Sequence, residues 1–217
     1  MASETVELHA PWQADKSCAF ALRRVEGTEG VGPCFEYWLT LDSAELDLSP
    51  EAVLGQRCGV EVSLGARGRR SLDGIVSELA HVGYVGQQAR YRLLLRPSLW
   101  LLSRNRDCRV FERQTVPEIL AELFAFHGLQ DVEFRLSESY RTRVQCVQYL
   151  ESDLSFAVRL MHEEGMYYFF EHEPQRHVLV IADARRAHPA AVGGEVLPFR
   201  VAERLDDGQL GPVVHRW

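Results

Sequence analysis

Alternation dominates the first half of the chain. Phe35, Tyr37, Leu39 and Leu41 are separated by Glu36, Trp38, Thr40 and Asp42. That period of two predicts a strand with one apolar face, its polar face broken only by Trp38. Val60, Val62 and Leu64 alternate with Glu61, Ser63 and Gly65 in the same way, and Ile75–Ala80 and Ala89–Leu95 read as two more strands. Turn residues separate them: Gly27 to Pro33, Ser49-Pro50, Gly65 to Arg70 and Gly83 to Gln88. Short strands at this spacing predict an antiparallel barrel or sandwich.

The period then changes. Leu99–Leu102, behind Pro97, reads as one helical turn. Val116, Ile119, Leu120, Leu123 and Phe124 occupy one face of a helix. Thr115 is placed to cap it with Glu118 as capping-box partner, Pro117 sits in the tolerant first turn, and Gly128 sits at the C-terminal cap. Leu154, Ala157, Val158 and Met161 predict a second helix, capped by Ser152, favoured by Asp153 at its positive end and closed by Gly165. Met166–His172 and His177–Ala182, joined through Glu173-Pro174-Gln175-Arg176, read as a β-hairpin. From Arg185 the chain is loop-like, with Glu195–Val201 and Pro212–Trp217 as short strands. A strand that stops in mid-pattern on Trp217 is expected at the end of a fragment, because natural termini are more often polar and frayed.

Composition narrows the function classes. The chain has 217 residues, 46% of them hydrophobic, enough for one large core or two small ones and too many for a disordered tail. No apolar run reaches membrane-spanning length, and Met1–Ala10 lacks the basic start and apolar stretch of a signal peptide. The net charge of −7 argues against a nucleic-acid partner, which needs a basic stripe to neutralise phosphates. Lys16 is the only lysine among the basic residues. The cysteines, at 18, 34, 58, 108 and 146, are odd in number, scattered and never CxxC, so free and mostly buried thiols are expected.

Tests for chemistry fail on spacing. His162-Glu163-Glu164 begins like HExxH, but the second ligand position holds Met166 and Gly165 ends the helix. It reads as a solvated helix end. His172 and His177 face each other across the hairpin turn, yet two histidines fall short of the three or four ligands of a zinc site, and exposed turn residues are the expectation. Asp206-Asp207 and Glu163-Glu164 are adjacent acids without the separation across a cleft that glycoside hydrolysis needs. Nucleophile-elbow, Walker and dinucleotide motifs are missing from the sequence; Gly27, Gly30 and Gly32 form a loop. The run Tyr167-Tyr168-Phe169-Phe170 could stack bases or sugars, but an acidic chain lacks the groove that accompanies base stacking, so it reads as a strand buried on both faces or covered by a partner subunit. No catalytic, cofactor-binding or metal-ligating residue is therefore assigned.

One set of elements resembles a known family. Cys146-Val147-Gln148-Tyr149, Glu151-Ser152-Asp153-Leu154-Ser155-Phe156, Arg159-Leu160-Met161 and the run from Glu163 through His172 resemble the core of VgrG proteins, the spike proteins of type VI secretion. Leu54-Gly55, Gly74-Ile75-Val76, Tyr91 to Pro97 with Leu99-Trp100-Leu101-Leu102, Tyr140, and Val116 with Glu118-Ile119-Leu120 agree. Leu150 and Ser155 depart from the pattern at positions often polar or acidic. The resemblance implies a β-rich α+β fold, an antiparallel barrel like the tube domain of a phage baseplate hub, with an α+β domain of two helices and a hairpin. It implies a first, incomplete hub barrel from residues 1–104 with 190–217, and the α+β domain over 105–189. It further implies a structural component and not an enzyme: a homotrimeric ring capping the Hcp tube, carrying a spike, a PAAR tip protein and effectors or their adaptors. Such a part is assembled in the cytoplasm and then secreted, the spike portion penetrating a target membrane. A baseplate hub of a contractile phage or phage-like tail is the alternative. A metal-dependent hydrolase using the His172/His177 region is the remote one.

Overall fold

A computed structural model describes residues 6–13, 20–63 and 69–188. Six strands build the first body: β1 (Val6–His9), β2 (Phe20–Thr28), β3 (Glu36–Ser43), β4 (Arg57–Ser63), β5 (Arg69–Val85) and β6 (Gln88–Arg96). They form one antiparallel sheet in the order β1-β4-β5-β6-β3-β2. The sheet curls until its edges, β1 and β2, come into contact, giving an open half-barrel. Its inner face is the alternating set read from sequence: Phe35, Tyr37, Leu39 and Leu41 are buried with Val60, Val76, Tyr91, Leu93 and Leu95. Trp38, on the other face, lies under the Arg92 guanidinium, 4.4 Å from ring centroid to Cζ, so the odd aromatic of that face has a cation to stack on.

The strands are longer than their alternation suggested. β5 runs through Arg69-Arg70 at its start and through Gly83 near its end, where turns were expected. Gly83 supplies a register shift against β6, at φ +142, and the reversal falls only at Gly86-Gln87. Ser49-Pro50 opens a short helix, α1 (Pro50–Val53), with proline in its first turn. β1 and β2 were not foreseen.

A 3-10 helix over Ser98–Arg104 leads into the second body. There β7 (Arg106–Gln114) and β9 (Arg143–Ser152) form a two-stranded antiparallel ribbon. β10 (Tyr167–Glu173), β11 (Arg176–Ala182) and β8 (Val132–Arg135) form a three-stranded sheet, β8 lying parallel to β11. Two helices pack between them: α2 (Val116–Phe126) and α3 (Asp153–Glu163). Their apolar faces, including Ile119, Leu120, Leu123, Phe156, Leu160 and Met161, close a core against Tyr168, Leu179 and Ile181. Glu118 accepts from both the backbone N–H and the hydroxyl of Thr115, and Ser152 Oγ accepts from the Ser155 N–H. Gly128 and Gly165 adopt φ +69 and +72, the left-handed cap that glycine allows. Phe170 packs against both cores and edge-on to Phe35, so the hairpin is where the two bodies meet.

Tyr168 and Phe169 are buried on opposite faces of β10, the two-sided burial expected of the aromatic run. Among the described residues, Cys34, Cys58, Cys108 and Cys146 are unpaired; only Cys58 and Cys146 are fully buried, Cys108 being exposed. Residues 195–201 and 212–217, Asp206-Asp207 and Cys18 lie outside the described residues. No described helix is long and apolar enough to cross a membrane.

Candidate functional site

The hairpin histidines are the clearest correction. His172 and His177 are cross-strand partners, their ring centroids 6.5 Å apart, as the spacing allowed. They are not exposed turn residues. The hairpin ends against β5, leaving His177 3% exposed and the His172 side chain 8% exposed. Local sequence describes a hairpin end as solvated; here the end is buried by residues about a hundred positions away.

Each imidazole is locked by two partners. The Ser98 backbone N–H donates to His177 Nε2 at 2.9 Å, which fixes the proton on Nδ1, and Nδ1–H donates to Asp73 Oδ1 at 2.7 Å. The Asp73 backbone N–H donates to His172 Nδ1 at 3.1 Å, leaving His172 Nε2 3.3 Å from the Tyr37 hydroxyl. Tyr37 in turn donates to Glu29, which also holds Arg70. Arg57 completes the seam: its Nε lies 3.4 Å from Asp73 Oδ1, and its terminal nitrogens donate to the Gln175 carbonyl and to Asp131.

Burial, partly opposed by the Glu29 charge, pushes the His172 pKa down to about 4. Burial raises the Glu29 carboxyl, but the Tyr37 hydrogen bond and the Arg70 guanidinium outweigh it and hold that group below its ordinary range. Both effects keep His172 neutral and Glu29 charged near neutral pH.

Ser98, His177 and Asp73 have the outline of a nucleophile, base and orienting acid, Ser98 Oγ lying 3.2 Å from His177 Nε2. The chemistry argues otherwise. The one lone pair on Nε2 already accepts the Ser98 N–H, so the base is spent on the serine's own backbone. A cavity of about 250 Å³ beside it is lined by Leu99, Leu101, Leu129, Phe170 and Leu179 and by Arg57, His127, Gln130 and Asp131 as well as Ser98 and His177. The trio acts as a bolt between bodies. No group of three His, Cys, Asp or Glu among the described residues is placed to hold a metal. Glu163 and Glu164 are not merely solvated: both are held by Arg143, at 2.7 and 2.6 Å.

Asp73, Ser98, Tyr37, Glu29 and Arg57 had no sequence signal, because each acts across a long loop of chain. Gly74 beside Asp73 gives one trace in retrospect. A Cβ there would stand 3.0 Å from the Arg96 carbonyl and 3.2 Å from Phe35, so the strand needs glycine where it passes under the seam.

The fold agrees with the comparisons. Residues 28–217 match the family model described as phage tail baseplate hub (GPD). The type VI secretion system spike protein VgrG1c of Pseudomonas aeruginosa is 42% identical over 178 residues, covering 82% of this chain and 24% of that protein. The chain thus spans about a quarter of that relative's length. The E. coli c3393 protein, described as a type VI secretion component similar in structure to the T4 tail proteins gp27 and gp5, superposes with a TM-score of 0.76 at 27% identity, over 91% of this chain and 53% of that one. A 43 kDa tail protein of prophage MuSo2 from Shewanella oneidensis shares the fold, with a TM-score of 0.58 at 16% identity over 91% of this chain and 57% of that one. The half-barrel with its α+β partner is a baseplate-hub architecture, and the chain belongs to the phage tail baseplate hub family as the hub-like region of a VgrG protein.

Proposed function

We propose that this chain is the hub part of a type VI secretion spike, a structural component and not an enzyme. The family match over most of the chain, together with a seam whose polar groups bond to each other, supports that reading. In it, residues 1–104 with 190–217 contribute the first hub barrel and 105–189 form the α+β domain. Three copies close a ring that caps the Hcp tube. A PAAR tip protein and effectors, or their adaptors, ride on the spike that the ring carries. Assembly takes place in the cytoplasm, and the particle is then driven out through a target membrane. A three-fold ring needs a head-to-tail interface that closes.

The test is native mass spectrometry of the natural gene product containing this chain, alone and mixed with Hcp rings. A stable trimer that takes up one Hcp hexamer is the expected result. A strict monomer at high concentration, with no Hcp uptake, overturns the reading.

A further inference from the structure

Three strands of the half-barrel carry a cross-strand row whose middle side chain is missing. His9 on β1 is the register partner of Gly59 on β4, and Gly59 is the register partner of Asp73 on β5. Register partners stand side by side on one face of a sheet, so the glycine leaves a gap between an imidazole and a carboxylate. The gap is part of a cavity of about 420 Å³, within the size range of small-molecule sites. Sterics do not demand a glycine there. A Cβ on Gly59 would stand 3.5 Å from the Leu72 carbonyl, 3.7 Å from Asp73 Oδ2 and 3.8 Å from His9 Cβ, all ordinary contacts.

Asp73 is fully buried, and its Oδ2, on the Gly59 side, has no hydrogen-bond partner among the described residues. A buried acceptor left open costs free energy until a donor reaches it. Oδ1 is already taken, by His177 and by Arg57. Arg57 also lines the cavity. Its terminal nitrogens give one N–H each, to the Gln175 carbonyl and to Asp131, and each carries a second.

These two charges decide what the cavity can take. A cation brought to Oδ2 would also meet the Arg57 guanidinium, and an anion brought to Arg57 would meet the Asp73 carboxylate. A hydroxyl answers both, because it donates to Oδ2 and accepts from Arg57. On the remaining walls Leu8, Ala10 and Pro11 offer apolar contact, and His9 adds one more polar group. A carbon ring bearing several hydroxyls presents both kinds of surface.

We propose that this cavity binds a small, neutral, polyhydroxylated ring the size of one sugar unit, with a hydroxyl donating to Asp73 Oδ2. A lone water would satisfy the oxygen but leave the apolar wall without a partner.

The test is a titration of the isotope-labelled chain with glucose, galactose and N-acetylglucosamine, with butylamine and butyrate as charged comparators, read from the backbone amide resonances. At least one sugar should shift the His9, Gly59 and Asp73 amides saturably, binding at least about tenfold more tightly than either comparator. Gly59→Ala puts a methyl into the gap at ordinary contact distances, so it should keep the melting temperature and weaken that sugar at least about tenfold. Asp73→Asn, which turns an NH₂ toward the same spot, should weaken it as much. No saturable shift with any of the three sugars, comparators that bind as tightly, or variants that bind as the unaltered chain does would each overturn the proposal and leave Oδ2 as a site for water only.

Discussion

Asp73 and Asp153 are both fully buried carboxylates, and they are satisfied in opposite ways. Asp153 opens α3 and sits among donors from its own body. Gln148 Nε2 reaches its Oδ1 at 2.6 Å, while Asn105 Nδ2, at 2.7 Å, and His127 Nε2 reach its Oδ2, with Arg109 3.5 Å away. Burial raises the Asp153 carboxyl, but the hydrogen bonds from Gln148, Asn105 and His127 outweigh it and hold the group below its ordinary range. Asp73 joins the two bodies. Its Oδ1 takes both His177 and Arg57, and its Oδ2 has no partner among the described residues. The first carboxylate organises one body from within; the second bolts one body to the other with half its capacity.

The isosteric amide separates the two most sharply. Asp153→Asn must turn an NH₂ toward a donor whichever way the amide faces, since both oxygens already accept. A loss of about 2–4 kcal/mol is expected in urea unfolding. Asp73→Asn can keep a carbonyl toward His177 and place its NH₂ on the unpartnered side, so a change within about 1 kcal/mol is expected. Equal losses for the two amides would break the comparison.

The same contrast explains what could be read from the chain. Strand alternation over Phe35–Asp42, the caps at Thr115 and Ser152, and the closing glycines are local signals, and local physics decided them. Asp153 was legible as a helix-start acid. Its role as a five-residue polar centre with Asn105, His127, Gln148 and Arg109 was not. The hairpin histidines were misplaced for the same reason. His177 looks solvated beside Pro174 and Gln175 until Asp73, 104 residues earlier, is brought over it. β1 and β2 were missed: β1 alternates cleanly, Val6-Glu7-Leu8-His9, but is only four residues long, too short for the pattern to stand out; β2 lacks alternation, with a register shift at Leu22/Arg24 and a mostly exposed second half. Its pairing with β3, not its own pattern, makes it a strand.

Acid sharpens the comparison next, because the two sites fail in different pH windows. His172 has a folded pKa near 4 against an ordinary 6.5. The unfolded chain therefore binds this proton more readily. The stability it contributes is complete above about pH 6.5 and is lost as pH falls toward 4, by about 2–3 kcal/mol. Asp153 has a depressed pKa, so its contribution persists through that window and is lost only below the ordinary carboxylate range. Between pH 6.5 and 4 the seam should weaken while the centre of the α+β body holds. Proteolysis should then cut between the bodies before it cuts within the second one. His172→Gln should flatten the stability profile over that interval; an unchanged slope would assign it to another group.

The smallest effect tests the local side of the comparison with a backbone position against a side-chain one. Gly165 closes α3 at φ +72, and a Cβ there would meet nothing within 4 Å. Any cost of Gly165→Val is therefore conformational and not steric. A β-branched residue resists the left-handed region more than most, so a loss of about 2 kcal/mol is expected. Gly165→Asn, which tolerates that region, should lose clearly less. Its neighbour Glu164 pairs with Arg143 at 2.6 Å, but Glu163 holds the same guanidinium, so Glu164→Ala leaves Arg143 partnered. About 0.5 kcal/mol is expected for that change. Melting temperatures should rank Glu164→Ala above Gly165→Asn, and Gly165→Asn above Gly165→Val. If valine and asparagine at 165 melted together, the cap geometry would not be the cause, and the helix end would owe its position to the Arg143 pairs instead.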